Sequence, residues 1–114
     1  MRLFHNPSCS TSRHALAEVK AAGAELEVVQ YLKTPLDRAV FLALLVHLED
    51  PPGDLVRQDD FFRSQGLRAA DYVTPEAVAD LLMQYPRLMQ RPVLERNGRA
   101  IIGRPKGRIA AFLA

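Results

Sequence analysis

The sequence predicts an α/β protein in which a β-α-β unit and a β-β-α unit are separated by a helical insertion. Three observations carry this. Apolar runs at 1–5 and 26–31 flank a stretch with helical spacing. From 36 to 85 the period-two signal disappears and apolar residues recur three and four apart. After Arg91-Pro92 the strand signal returns as two short runs joined by Asn97-Gly98.

Residues 1–5, MRLFH, read as a short buried strand. NPSCSTS follows, a polar loop with turn and helix-cap chemistry. A helix then begins near Thr11. Ala15, Leu16, Val19 and Ala22 recur on one face, and Gly23 is a suitable stop. LEVVQY at 26–31 is the second strand. A strand–helix–strand unit of this length implies parallel strands and a right-handed crossover. Thr34-Pro35 reads as the next helix start, with Thr34 as cap and Pro35 at the first position. Val40, Phe41, Leu44, Leu45 and Leu48 form its apolar stripe, and Asp50-Pro51-Pro52-Gly53 ends it. Residues 54–72 are expected as short helical or irregular pieces around Leu55, Val56, Phe61 and Phe62. Thr74-Pro75-Glu76 opens a further helix that carries Val78, Leu81 and Leu82 and ends near Tyr85-Pro86. PVLER, Asn97-Gly98 and RAIIG make a hairpin, because Asn-Gly suits a tight primed turn. Pro105 opens the last helix, with Ile109, Phe112 and Leu113 on its buried face. There is no repeat, linker or low-complexity stretch, so residues 1–114 are expected as a single domain with its insertion at about 36–85.

The bulk numbers narrow the function classes. With 114 residues and 48% hydrophobic content the chain can bury a core. No apolar window reaches a membrane span of roughly 18 residues. Met1 leads straight into a strand-like run, with no charged region followed by a long apolar one, so no secretory signal is expected. One cysteine cannot make an internal disulfide, and a reducing, cytoplasmic setting is the expected localisation. The net charge is +2, with charges interleaved and no polybasic run, so neither a nucleic-acid nor a membrane partner is expected. No metal, nucleotide or flavin motif is present. Twelve arginines against three lysines mean that any one arginine, taken alone, reads as a surface residue.

The chemistry concentrates at Cys9. It sits between strand and helix, flanked by Asn6, Pro7, Ser8, Ser10 and Thr11. Unpaired N–H groups at a helix start favour a thiolate, which is the nucleophilic form. The same groups bind oxyanions. Ser12 adds a hydroxyl, and Arg13 and His5 add positive charge nearby. A lone cysteine is also a small apolar core residue, but these polar flanks argue against burial. His5 equally suits a satisfied core histidine, and Ser12 an ordinary helix-start hydroxyl. His14 and His47 read as exposed or packing residues, and Asp59-Asp60 has no partner spacing.

HNPSCSTSR, residues 5–13, resembles the HNPxCxTSR active-site loop of the glutaredoxin-coupled arsenate reductases. Tyr31-Leu32-Lys33-Thr34-Pro35 is similar to that family's YLxTP segment. Leu55-Val56-Arg57, Arg91-Pro92-Val93 and Arg104-Pro105 match in the right order, so the resemblance spans residues 3 to 105. It implies a thioredoxin-like fold, a mixed four-stranded sheet flanked by helices, and a cis peptide bond at Arg91-Pro92. It implies Cys9 as the catalytic nucleophile and Arg57, Arg91 and Arg104 as the oxyanion clamp, a role suited to guanidinium forks. His5 would tune Cys9 and Ser12 would hydrogen-bond the thiolate, with Asn6, Thr11, Arg13 and Pro92 as secondary site residues. With one cysteine, the second sulfur must come from glutathione as co-substrate and glutaredoxin as protein partner. No bound cofactor and no metal are then needed. A monomer is expected, because the site must stay open to a protein. Two rivals share the fold: a glutathione-dependent thiol reductase of another substrate, and the Spx-type regulators that bind RNA polymerase. The latter usually carry CxxC where this chain has Cys9-Ser10-Thr11-Ser12.

Overall fold

The computed structural model describes residues 1–114. Four strands run β1 (Arg2–Phe4), β2 (Glu27–Val29), β3 (Val93–Arg96) and β4 (Arg99–Ile102). Five helices run α1 (Ser10–Ala21), α2 (Arg38–His47), α3 (Asp60–Ser64), α4 (Pro75–Gln84) and α5 (Gly107–Leu113), with short 3-10 turns between them. The sheet order is β2-β1-β3-β4. β1 pairs parallel with β2 (Leu3 opposite Val28) and antiparallel with β3 (Leu3 opposite Leu94). β3 and β4 form the expected hairpin, and Asn97 and Gly98 take φ of 54° and 74°, as a primed turn requires.

Alternation along the strands divides the core between two faces. Leu3, Leu94 and Ile101 point to one face and meet Ala15 and Val19 of α1 and Ile109 and Phe112 of α5. Phe4, Val93, Ala100 and Ile102 point to the other and meet Phe41 and Leu44 of α2 and Val78 and Leu82 of α4. Each such buried Val, Leu, Ile or Phe side chain contributes about 1.5–3 kcal/mol. The helical insertion therefore covers one whole face of the sheet.

Three boundaries differ from expectation. α2 starts at Arg38 with Asp37 as its cap, accepting from the Val40 N–H at 2.9 Å, and not at Thr34-Pro35. Thr34 is already engaged in a turn, where the Gln30 carbonyl accepts from the Lys33 and Thr34 N–H groups at 3.0 and 2.9 Å. β2 is only three residues long, an edge strand with Glu27 and Val28 exposed. α5 begins at Gly107, after a turn in which the Pro105 carbonyl accepts from the Arg108 N–H at 3.0 Å.

One long-range connection shapes the site. Val56 and Met89 form an isolated antiparallel bridge. Around it the Arg57 N–H donates to the Leu88 carbonyl, and the Gln90 N–H to the Leu55 carbonyl, both at 2.7 Å. The insertion is thereby stitched to the segment just before β3.

Candidate active site

The β1–α1 loop places the thiol. The His5 N–H donates to the Val29 carbonyl at 2.8 Å, extending β1 pairing by one residue. Asn6 then reverses the chain: its side-chain oxygen accepts from the Ser8 N–H at 2.9 Å and its carbonyl from the Cys9 N–H at 3.0 Å. Cys9 falls at the N-cap of α1 in an extended conformation, and its carbonyl accepts from the Arg13 N–H at 2.9 Å. No side chain caps this helix and its first turn holds no acid. The unpaired N–H groups face the sulfur in place of a capping oxygen.

These surroundings set the Cys9 pKa. Burial alone pushes the thiol up. The Ser12 N–H, the Arg91 side chain, the Thr11 N–H and the Arg104 charge overcome that, and the net shift is downward. Arg104 is in direct contact, its Nη2 lying 3.3 Å from Sγ.

Three segments bring the arginines in. Arg104 follows β4, and its Nε donates to the Arg91 carbonyl at 2.7 Å. Arg91 precedes a cis bond to Pro92, as the resemblance implied; Arg104-Pro105 is also cis. Gly103 fits here for lack of a side chain: a Cβ would lie 2.8 Å from Pro92 Cγ. Its N–H donates to the Pro92 carbonyl at 2.8 Å. Arg57 arrives through the Val56–Met89 bridge. Its Nη1 donates to Gln90 Oε1 at 3.4 Å, and Asp59 lies 3.6 Å from its Nε. The Nε atoms of Arg57 and Arg91 are buried without a hydrogen-bond partner. Buried donors of this kind are normally satisfied, so Arg91 retains unused donor capacity for an anion, while Arg57 Nε faces the Asp59 carboxylate.

The side chains expected to tune the thiolate act at one remove. Ser12 is fully buried, and its hydroxyl lies 2.6 Å from His5 Nδ1 and accepts from the Asn6 N–H at 3.0 Å. It is the Ser12 backbone N–H that serves the sulfur. His5 is 4% exposed, and burial, then Arg13 and Lys20, hold its pKa below the ordinary value, so the ring is neutral near pH 7. It braces the loop through Ser12. Thr11 contributes its N–H, Asn6 its turn and Pro92 its buried ring. Arg13 is exposed and donates to the Pro7 carbonyl at 2.9 Å, clasping the loop from outside.

Two site residues were not singled out from sequence. Gln90 Oε1 accepts from Arg57 Nη1 and, at 3.3 Å, from the Arg91 N–H, bridging two arginines. Tyr31, 1% exposed, donates to the Met89 carbonyl at 3.3 Å. Burial raises its pKa, while Arg91 and Arg57 pull the other way. Its signal was present within Tyr31–Pro35; Gln90 had only its place beside Arg91-Pro92. His47 Nδ1 lies 2.9 Å from Glu95 Oε2, and Arg2 holds the other oxygen of this buried carboxylate, so His47 has a packing role between α2 and the sheet. No three His, Cys, Asp or Glu side chains gather as a metal-ligand set. No helix is long and apolar enough to cross a membrane.

The model of the ArsC family matches residues 4–112. An arsenate reductase of Neisseria meningitidis (serogroup A) is 34% identical over 115 residues, covering 99% of this chain and 97% of that protein. The uncharacterised protein YfgD of Escherichia coli (strain K12) is 40% identical over 107 residues, covering 92% and 89%. Among solved structures, the arsenate reductase from Vibrio cholerae superposes with a TM-score of 0.82 at 26% identity, covering 97% of each chain. The mixed sheet with its β-α-β and β-β-α units is thus the thioredoxin-like fold of these reductases, and the chain belongs to the ArsC family.

Proposed function

We propose that this protein reduces arsenate to arsenite, with Cys9 as nucleophile and with glutathione and glutaredoxin supplying the electrons. The observation that carries this reading is the pairing of a thiol of lowered pKa with Arg91, whose buried Nε has no partner, and with Arg57, which Gln90 bridges to Arg91. A tetrahedral dianion needs several donors, and arginine forks supply them without losing charge.

The chemistry follows from a single thiol. The Cys9 thiolate attacks arsenic; an S–As bond forms and one oxygen leaves as water after protonation. The glutathione thiol then forms a second S–As bond, and a second oxygen leaves as water. A glutaredoxin thiolate attacks the glutathione sulfur. An S–S bond forms, the S–As bond breaks, and its electron pair stays on arsenic, which falls from pentavalent to trivalent. Hydrolysis of the remaining S–As bond releases arsenite and restores the thiol. Arg104 is suited to stabilise Cys9 as attacking group and later as leaving group, because it touches the sulfur.

NADPH consumption through glutathione reductase tests this with components omitted in turn. Turnover must require arsenate, glutathione and glutaredoxin together. Cys9-dependent turnover with a glutathione mixed disulfide in place of arsenate, and none with arsenate, would favour a general thiol reductase, and arsenate turnover without glutaredoxin would remove that partner from the scheme.

A further inference from the structure

Beside the clamp lies room that an oxyanion does not need. A cleft of about 370 Å³ is lined by Asp50, Asp54, Gln58, Gln90, Arg104 and Arg108. A second, of about 240 Å³, shares Gln58, Gln90 and Arg104 and continues to Arg57 and Asp59. The first is already within the roughly 300–1,000 Å³ of small-molecule sites. Val56 and Ile102 are its only apolar lining residues, so the ligand it suits is polar along its length.

The groups in this groove fall into two sets. Asp50 and Arg108 form a fixed floor. Asp50 accepts from the Ile102 N–H at 3.0 Å and from Arg108 Nη1 at 2.8 Å, and Arg108 also donates to the Ile102 carbonyl. Asp54 and Gln58 are exposed, and their side chains have no hydrogen-bond partner within the chain. Asp54 is thus the one groove carboxylate left without a partner, since Asp59 caps α3 and lies beside Arg57.

We propose that this groove is the site for glutathione, with Asp54 holding its ammonium and the thiol delivered to Cys9 across Arg104. This rests on the glutathione-dependent reading above. Glutathione carries one ammonium, two carboxylates, two amides and a thiol. Asp54 takes the ammonium, Gln58 and Gln90 take the amides, and Arg104 and the Arg108 donors not bonded to Asp50 or Ile102 take the carboxylates. The thiol, on the central residue of glutathione, is then carried towards Arg104, whose Nη2 is 3.3 Å from Cys9 Sγ.

The test does not use arsenate. Cys9 is reacted with oxidised glutathione, forming a Cys9–glutathione disulfide and releasing one glutathione thiolate. The same reaction is run with 2-hydroxyethyl disulfide, which lacks ammonium, carboxylate and amide. The ratio of the two rates is the readout. Asp54→Asn lowers that ratio by about two- to fivefold, the range of one exposed charge pair. Asp54→Lys, which sets a cation against the ammonium, lowers it by about tenfold. Amide-resolved NMR with unreactive S-methylglutathione gives shifts centred on Asp54, Gln58 and Gln90. An unchanged ratio in both variants, or shifts confined to residues outside the groove, overturns the proposal. If the ratio falls as expected while the protein shows no arsenate turnover, the groove stands and the arsenate reading fails.

Discussion

Replacing Arg104 with methionine should raise the Cys9 thiol pKa by about one unit. Arg104 Nη2 is 3.3 Å from the sulfur, and methionine keeps the length of the side chain while removing charge and donors. A hydrogen bond to a charged group contributes about 1.5–3 kcal/mol. Cys9 and Arg104 are both half-buried, so solvent screening brings this down to about 1–1.5 kcal/mol. At 1.36 kcal/mol per unit that corresponds to about one pKa unit. The thiol should not return fully to its ordinary value, because the Ser12 and Thr11 N–H groups and Arg91 remain. Thiolate absorbance against pH measures this directly, since Cys9 is the only cysteine and Cys9→Ser gives the baseline. Arg104→Lys retains a cation and should move the pKa by less than about half a unit. Arg13→Met serves as control, because Arg13 bonds the Pro7 carbonyl and is absent from the groups that set the Cys9 pKa. A shift below about 0.2 units in Arg104→Met, or an equal one in Arg13→Met, would refute the argument.

Arg57→Ala and Arg91→Ala should each raise the arsenate KM by about ten- to hundredfold, the loss of one charge-assisted contact, with little change in Cys9 pKa for Arg57→Ala; steady-state kinetics and thiol titration together decide it. Ser12→Ala should cost about 1–3 kcal/mol in urea unfolding, because the Asn6 N–H and His5 lose a buried partner. His5 has a folded pKa below the 6.5 of an unperturbed ring. The unfolded state therefore binds the proton more readily, and stability falls as pH drops from about 6.5 to the folded pKa. In His5→Gln that decline should be shallower, as thermal unfolding across pH would reveal. Gly103→Ala should destabilise by about 1–3 kcal/mol, since its Cβ would press on Pro92 and, at 3.2 Å, on Ile109 and Leu94; unchanged denaturation would mean that the Pro92 loop shifts freely.

Local signals carried much of the fold. Thr74 caps α4 and accepts from the Ala77 N–H at 3.2 Å, with Pro75 at the first position as read from sequence. Asn97-Gly98 marked the hairpin because only its turn chemistry was needed. Thr34-Pro35 offered the same kind of signal as Thr74-Pro75 and misled, because turn bonds from Gln30 had already engaged Thr34 and Asp37 was a competing cap. The site divides in the same way. Cys9 at a helix start is a local fact. The arginines needed the family pattern, because Arg57 reaches Gln90 only through a bridge between segments some thirty residues apart. The family resemblance implies a Ser12 hydroxyl bonded to the sulfur. The structure gives it to His5, seven residues earlier, across the β1–α1 turn. Sequence separation does not encode that geometry.

The most direct test of Cys9 as an arsenate-reducing nucleophile is arsenite itself, measured by chromatography with arsenic detection. Protein, arsenate, glutathione and glutaredoxin are incubated and compared with the same mixture containing Cys9→Ser. The account predicts many equivalents of arsenite per protein from the wild-type chain and none above background from the variant. Equal arsenite from both, or background levels from both at a Cys9 pKa verified as depressed, would contradict it.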